Sequence, residues 1–142
     1  GIGSLCQGGY LRGGIRSDAP FLLEIRKRIP KSLETNLAAV VGFWPQGDSI
    51  LIAQMQSCKN AQLPEEVPFG VTGIMVAEKV ARTIGFEKIQ VYTARANPIF
   101  IEHPETWERL SKDFVAMWDG SVKKVGGYLG SRSEVKSYTK LL

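Results

Sequence analysis

What this chain has little of narrows its chemistry first. One histidine, His103, and two cysteines, Cys6 and Cys58, are spread over 142 residues. No Cys-x-x-Cys and no His-x-x-x-His spacing occurs, so a metal centre built on these side chains is not expected. Two cysteines so far apart make no disulfide framework, and free thiols in a cytoplasmic protein are the expectation. No run approaches the roughly 20 apolar residues of a membrane span. No basic stretch followed by an apolar one marks a secretory signal. Gly-Lys-Ser and Gly-Lys-Thr are absent, which removes the Walker loop, and no three-glycine strand-to-helix turn marks a dinucleotide fold.

What is present reads as one ordinary globular domain over residues 1–142, with 44% hydrophobic and 23% charged residues. A chain of this length buries roughly 70% of the surface its unfolded form exposes, enough for a core without staples. The net charge of +4 is unevenly placed. Residues 1–120 hold 13 Lys and Arg against 13 Asp and Glu, whereas 121–142 hold five (Lys123, Lys124, Arg132, Lys136, Lys140) against Glu134 alone. The basic tail, 130–142, reads as a solvated terminus. With Arg26, Lys27 and Arg28 it is the only feature pointing to nucleic acid, and no nucleic-acid-binding motif accompanies it.

Six glycines in residues 1–17 predict an irregular start, with a strand at most around Tyr10 and Leu11. Asp18 reads as an N-cap and Pro20 as a first-turn residue of a helix running through FLLEIRKRI, with Phe21, Leu22, Ile25 and Ile29 on one face. Pro30 ends it. NLAAVVGFW and DSILIAQMQ flank Pro-Gln-Gly and predict an antiparallel hairpin. A polar loop over 57–67 leads to GVTGIMVAEKVARTIG, a helix whose C-cap is Gly85. KIQVYTA is a strand, residues 104–118 a helix with Trp107, Leu110, Phe114, Met117 and Trp118 at helical spacing, and Val122–Leu129 a weak strand. The strands at 50–56 and 88–94 with the helix between them form a right-handed β-α-β crossover, the two strands parallel or splayed from parallel. The fold class expected is α/β (α+β): a mixed, partly antiparallel sheet with this central crossover and flanking helices.

A helix opening near Pro68 presents unpaired amides and a partial positive charge, and Gly70 lets a ligand approach them. The other reading of Gly70 and Gly73 is close packing of helix on sheet. Asn97-Pro98 is a good N-cap and first-turn pair. Cys58 has no base beside it in sequence. His103, before Pro104, reads more readily as a cap or surface residue than as a base.

The order strand, loop, helix, Gly-Phe, strand, Asn resembles the core of the GNAT superfamily, the acyl-CoA-dependent N-acyltransferases. Gly70 precedes Gly85 by 15 residues, Phe86 follows, and Asn97 lies 12 beyond Gly85. The likeness spans roughly 37–128 and is strongest over 67–98. It implies a GNAT-like fold and transfer of an acetyl or other acyl group from acyl-CoA to an amine on a small molecule or peptide. Met55 and Gln56 would pair with the pantetheine arm, the amides of Phe69, Gly70 and Val71 would face the diphosphate, and Asn97 would stand beside the arm. Acid or base candidates are Tyr92, Glu102, His103 and Tyr128. No metal is implied, and a homodimer is compatible with it. The sequence departs from the family pattern at Pro68, where the loop's first glycine belongs, and at Glu65, where Gln or Arg belongs. It departs again near Pro104, where many members carry a tyrosine. The alternative is a GNAT-like module that binds a protein partner without catalysis.

Overall fold

The computed structural model describes residues 3–7, 10–12, 15–17, 19–57, 68–130 and 137–142, with side chains from residue 19 onward except at 99. The expected N-cap at Asp18 and residues 58–67 of the polar loop, with Cys58 and Glu65, lie outside the described residues.

Phe21–Arg28 is a strand, β4, and not the helix that the spacing of Phe21, Leu22, Ile25 and Ile29 predicts. The reason is two-sided burial. Leu22, Leu23, Glu24 and Ile25 are all buried in succession, which a helix with one apolar face does not do. A short apolar run carries no periodicity that separates the two structures. Here the neighbours decide: β1 (Gly3–Gln7) pairs with one edge of β4 and β5 (Thr35–Gln46) with the other, both antiparallel. The glycine-rich start is also more regular than expected, since β2 (Tyr10–Arg12) and β3 (Ile15–Ser17) form a small hairpin of their own.

The hairpin expected around Pro-Gln-Gly is formed by β5 and β6 (Ser49–Ser57), closed by Gly47 and Asp48 between the paired Gln46 and Ser49. Helix α1 (Phe69–Ile84) follows, then β7 (Lys88–Tyr92), which pairs with β6 in parallel. Gly85 closes α1 at φ 106°, and its amide and that of Phe86 return to the Ala81 carbonyl. After β7 come a 3-10 turn over Ala94–Ala96, α2 (Pro98–Glu102), α3 (Thr106–Met117) and α4 (Asp119–Val125).

Two expectations for the last third are corrected. Val122–Val125 is helical, because the chain runs from α3 into α4 with only Trp118 between them, and Trp118 and Val122, four residues apart, are both buried. Asp119-Gly120 therefore starts a helix and does not turn the chain. The strand expected there survives only at Leu129, which bridges Thr139. The basic tail holds a strand, β8 (Ser137–Leu141), antiparallel to β7. The mixed sheet runs β1-β4-β5-β6-β7-β8. The main core lies between its α1 face and the helices: Leu23, Val41, Phe43, Ile50, Ile52 and Met55 meet Ile74, Ala77, Ala81, Trp118 and Val122. The other face buries Ala19, Leu22 and Val40.

Nothing stands within 4 Å of a Cβ built on Gly85, so only backbone strain opposes a side chain there. Gly85→Ala is expected to lower stability by about 1–2 kcal/mol, the cost of a left-handed alanine, measured as the shift of the urea midpoint at unchanged slope.

Candidate functional site

The parallel pair is short. β6 and β7 share four rows, from Ser49↔Lys88 to Ile52↔Val91. β7 ends one residue later at Tyr92, while β6 runs on through Ala53–Ser57 with no further row shared with β7. A register shift against β5 falls at the same level: Gly42 faces Gln54 and Phe43 faces Ile52, so Ala53 is the extra residue of a bulge. The last common row extends across three strands as Ile52, Val91 and Tyr138. Beyond it β6 bends and β7 turns off. Two bonds hold that turn: Thr93 Oγ1 accepts from the Ala96 amide at 3.2 Å, and Asp119 Oδ2 accepts from the Ala94 amide at 3.0 Å.

Because α1 runs back between two parallel strands, its opening lies at the same end of the sheet as this parting. Pro68 gives no side-chain cap and the first turn holds no acidic residue. The first intrahelical bond is from the Thr72 amide to the Pro68 carbonyl, at 3.0 Å. The amides of Phe69, Gly70 and Val71 therefore have no acceptor within the helix. Met55 and Gln56 lie on the stretch of β6 beyond the parting, Met55 buried in the core and Gln56 exposed. Asn97 follows the 3-10 turn, half-buried, and its carbonyl accepts from the Phe100 amide.

Of the two readings of Gly70, close packing is the one its surroundings favour, against the helices more than the sheet. A Cβ on it would stand 2.2 Å from Ser121 Oγ and 2.8 Å from the Met117 carbonyl oxygen. A Cβ on Gly73 would meet Val41 Cγ2 at 2.9 Å. The two glycines let α1 seat against α4 and β5, so the bare face of Gly70 is occupied by protein. Phe69 and Val71, half-buried, flank it.

The acid and base candidates are not brought together. Tyr92 is half-buried at the parting itself. His103 and Glu102 are exposed, and His103 Nδ1 lies 3.5 Å from a Glu105 carboxylate oxygen. Tyr128 is held under α1: its hydroxyl donates to Glu78 Oε1 at 3.0 Å, about 12 Å along the helix from Gly70 at 1.5 Å per residue. Burial, then the charge and hydrogen bond of Glu78, push its pKa far above the ordinary tyrosine value. Lys140, one of the tail cations, also reaches Glu78 Oε1 at 3.0 Å and donates to the Gly126 carbonyl. Arg82 stands 3.8 Å from the other carboxylate oxygen. Glu78 is buried and balanced inside the fold.

Sequence reasoning missed the pair nearest the parting. Tyr138 donates to Asp119 Oδ1 at 2.5 Å while Asp119 Oδ2 takes the Ala94 amide. Burial, followed by the hydrogen bond and charge of Asp119, pushes the Tyr138 pKa up to about 12. The signal was absent because Asp119 read as a turn and Tyr138 as part of a loose tail. Arg95 was missed too: its guanidinium carbon lies over the Trp107 ring, 4.4 Å from the centroid.

Two outcomes follow. Gly70→Ala is expected to destabilise the fold by about 1–3 kcal/mol through overpacking. Adding Ser121→Gly should return part of that loss in urea unfolding, the Met117 carbonyl accounting for the rest. Tyr138 binds its proton more tightly folded than unfolded. Its contribution is complete below its ordinary value near 10 and fades as pH climbs through about 12. Tyr138→Phe should flatten the fall of unfolding free energy across that window and remove one late-ionising group from the tyrosinate absorbance titration.

Among the described residues no helix is long and apolar enough to cross a membrane, and no three His, Cys, Asp or Glu side chains are grouped to hold a metal. Comparison with family models, with curated proteins and with solved structures found no match.

Proposed function

We propose that this chain is a GNAT-like N-acyltransferase that moves an acetyl or other acyl group from acyl-CoA to an amine. The observation that carries the reading is the parting of β6 from β7 after Ile52 and Val91, at a bulge and beside the opening of α1. A parallel pair that opens at its carboxyl end leaves a crevice where ligands of α/β proteins bind. The spacing of Gly70, Gly85-Phe86 and Asn97 supports the same reading from the sequence.

In this reading the main chain at Met55 and Gln56 pairs with the amide-bearing pantetheine arm as an added strand would. The first-turn amides of α1 take the diphosphate, favoured by the helix dipole and by the lack of an acidic first turn. An uncharged amine attacks the thioester carbonyl, the carbon–sulfur bond breaks, and the proton lost by nitrogen balances the thiolate. Backbone donors at the parting polarise the carbonyl as charge builds on its oxygen. Of the tyrosine and histidine candidates, Tyr92 alone stands at the parting.

A second reading is a GNAT-like module that binds a protein partner without catalysis. It is favoured by the filled face of Gly70 and by the placement of Tyr128 and His103 away from the helix opening.

Acetyl-CoA at a hundred times its Kd should stabilise the protein by about 2.7 kcal/mol, a rise of several degrees in melting temperature. Val71→Asp places a carboxylate at the opening, where it suits the helix but repels a phosphate. That variant should keep its own melting temperature and lose the ligand-induced rise. No rise in the unaltered protein at millimolar acetyl-CoA overturns the acyl-CoA reading. A rise without thiol release across a panel of amines selects the non-catalytic module.

A further inference from the structure

We infer that Arg95, stacked on Trp107, is a phosphate-reading cation at the carboxyl end of the parallel pair. The inference rests on the acyl-CoA reading above and names a side chain that reading does not use. Arg95 is the middle residue of the 3-10 turn that follows β7. Its neighbours Ala94 and Ala96 are buried, and the Ala94 amide is anchored to Asp119, so the turn is fixed and the residue between them is forced outward. The platform is fixed as well. Trp107 meets the buried Phe100 edge-on at 4.8 Å, and Phe100 meets Phe114 at 4.7 Å.

A ring stack in place of a charge partner separates Arg95 from the paired cations of this fold. Arg26, Arg82, Lys88 and Lys140 each have a carboxylate partner. Among the described residues none stands within ion-pair distance of Arg95, whose contact is the indole ring. Stacking over a ring face leaves the N–H edges of a guanidinium pointing outward, in a fork that matches two phosphate oxygens. It also removes part of the rotamer freedom that binding would otherwise have to freeze. The nearest acid in the turn's own bonding, Asp119, is engaged by Ala94 and Tyr138. Among the described residues no carboxylate pairs with the fork to compete with an anionic ligand. CoA offers two phosphate groups of this kind, the diphosphate and the 3′-phosphate of its ribose.

The test is calorimetric titration of the full chain with CoA and with 3′-dephospho-CoA, for the unaltered protein, Arg95→Ala and Arg95→Lys. Arg95→Ala should weaken CoA binding by roughly tenfold to a hundredfold, the worth of one charge-assisted contact. Its ligand-free melting temperature should barely move. Arg95→Lys, which keeps the charge without the fork, should fall between. A loss seen with CoA and absent with 3′-dephospho-CoA assigns the 3′-phosphate, and an equal loss with both assigns the diphosphate. Tight binding of both ligands by Arg95→Ala overturns the inference and leaves the acyl-CoA reading standing. Failure of the unaltered protein to bind either ligand overturns both.

Discussion

The amide of Ala94 donates to the carboxylate of Asp119, not to a neighbouring strand, and much of the candidate site's arrangement depends on that bond. With it the chain leaves the sheet soon after Val91, and β6 continues without β7 beside the opening of α1. Asp119 is the first residue of α4. The residue that holds β7's exit thus also starts the helix that packs on Gly70. Its other oxygen holds Tyr138, which brings β8 into the same arrangement. One side chain ties the end of a central strand, a helix start and the last described strand.

A second polar centre sits deeper. Glu78 is buried on the sheet-facing side of α1 and gathers Lys140, Tyr128 and Arg82. Replacing such a group by apolar residues is often neutral, whereas removing one partner leaves a buried charge exposed to its full desolvation cost. The network therefore contributes alignment more than net stability. It fixes β8 against α1 and keeps Tyr128 protonated well into the alkaline range.

How much of this was legible in the sequence follows from the kind of signal each element carries. α1 is long, amphipathic and closed by Gly85, and the hairpin has a Pro/Gly turn between two apolar runs; both were readable from local pattern. β4 was not, because Leu22–Ile25 is buried on both faces, Glu24 included, and only β1 and β5 beside it decide its state. α4 was hidden by Asp119-Gly120, a good turn dipeptide that a continuous helix accepts here because Trp118 and Val122 need burial. β8 was hidden by its charge: Lys140 looks solvated until Glu78, 62 residues away in sequence, is known to face it. The splaying of the strands at 50–56 and 88–94 was an expectation of the crossover, whereas the Asp119–Tyr138 pair and the stacked Arg95 are tertiary facts with no local signature.

The sheet's unequal pairings also differ in how far apart in sequence their partners lie. β4, β5 and β6 are successive antiparallel strands, and β5 and β6 are joined by a two-residue turn, so they can zip from local contacts. β7 pairs with β6 only after the whole crossover has formed. Until then Ile50, Leu51 and Ile52 line an open, apolar edge, the kind of surface that captures other chains. The strand that outruns its parallel partner in the folded protein is also the one with most to lose while that partner is missing.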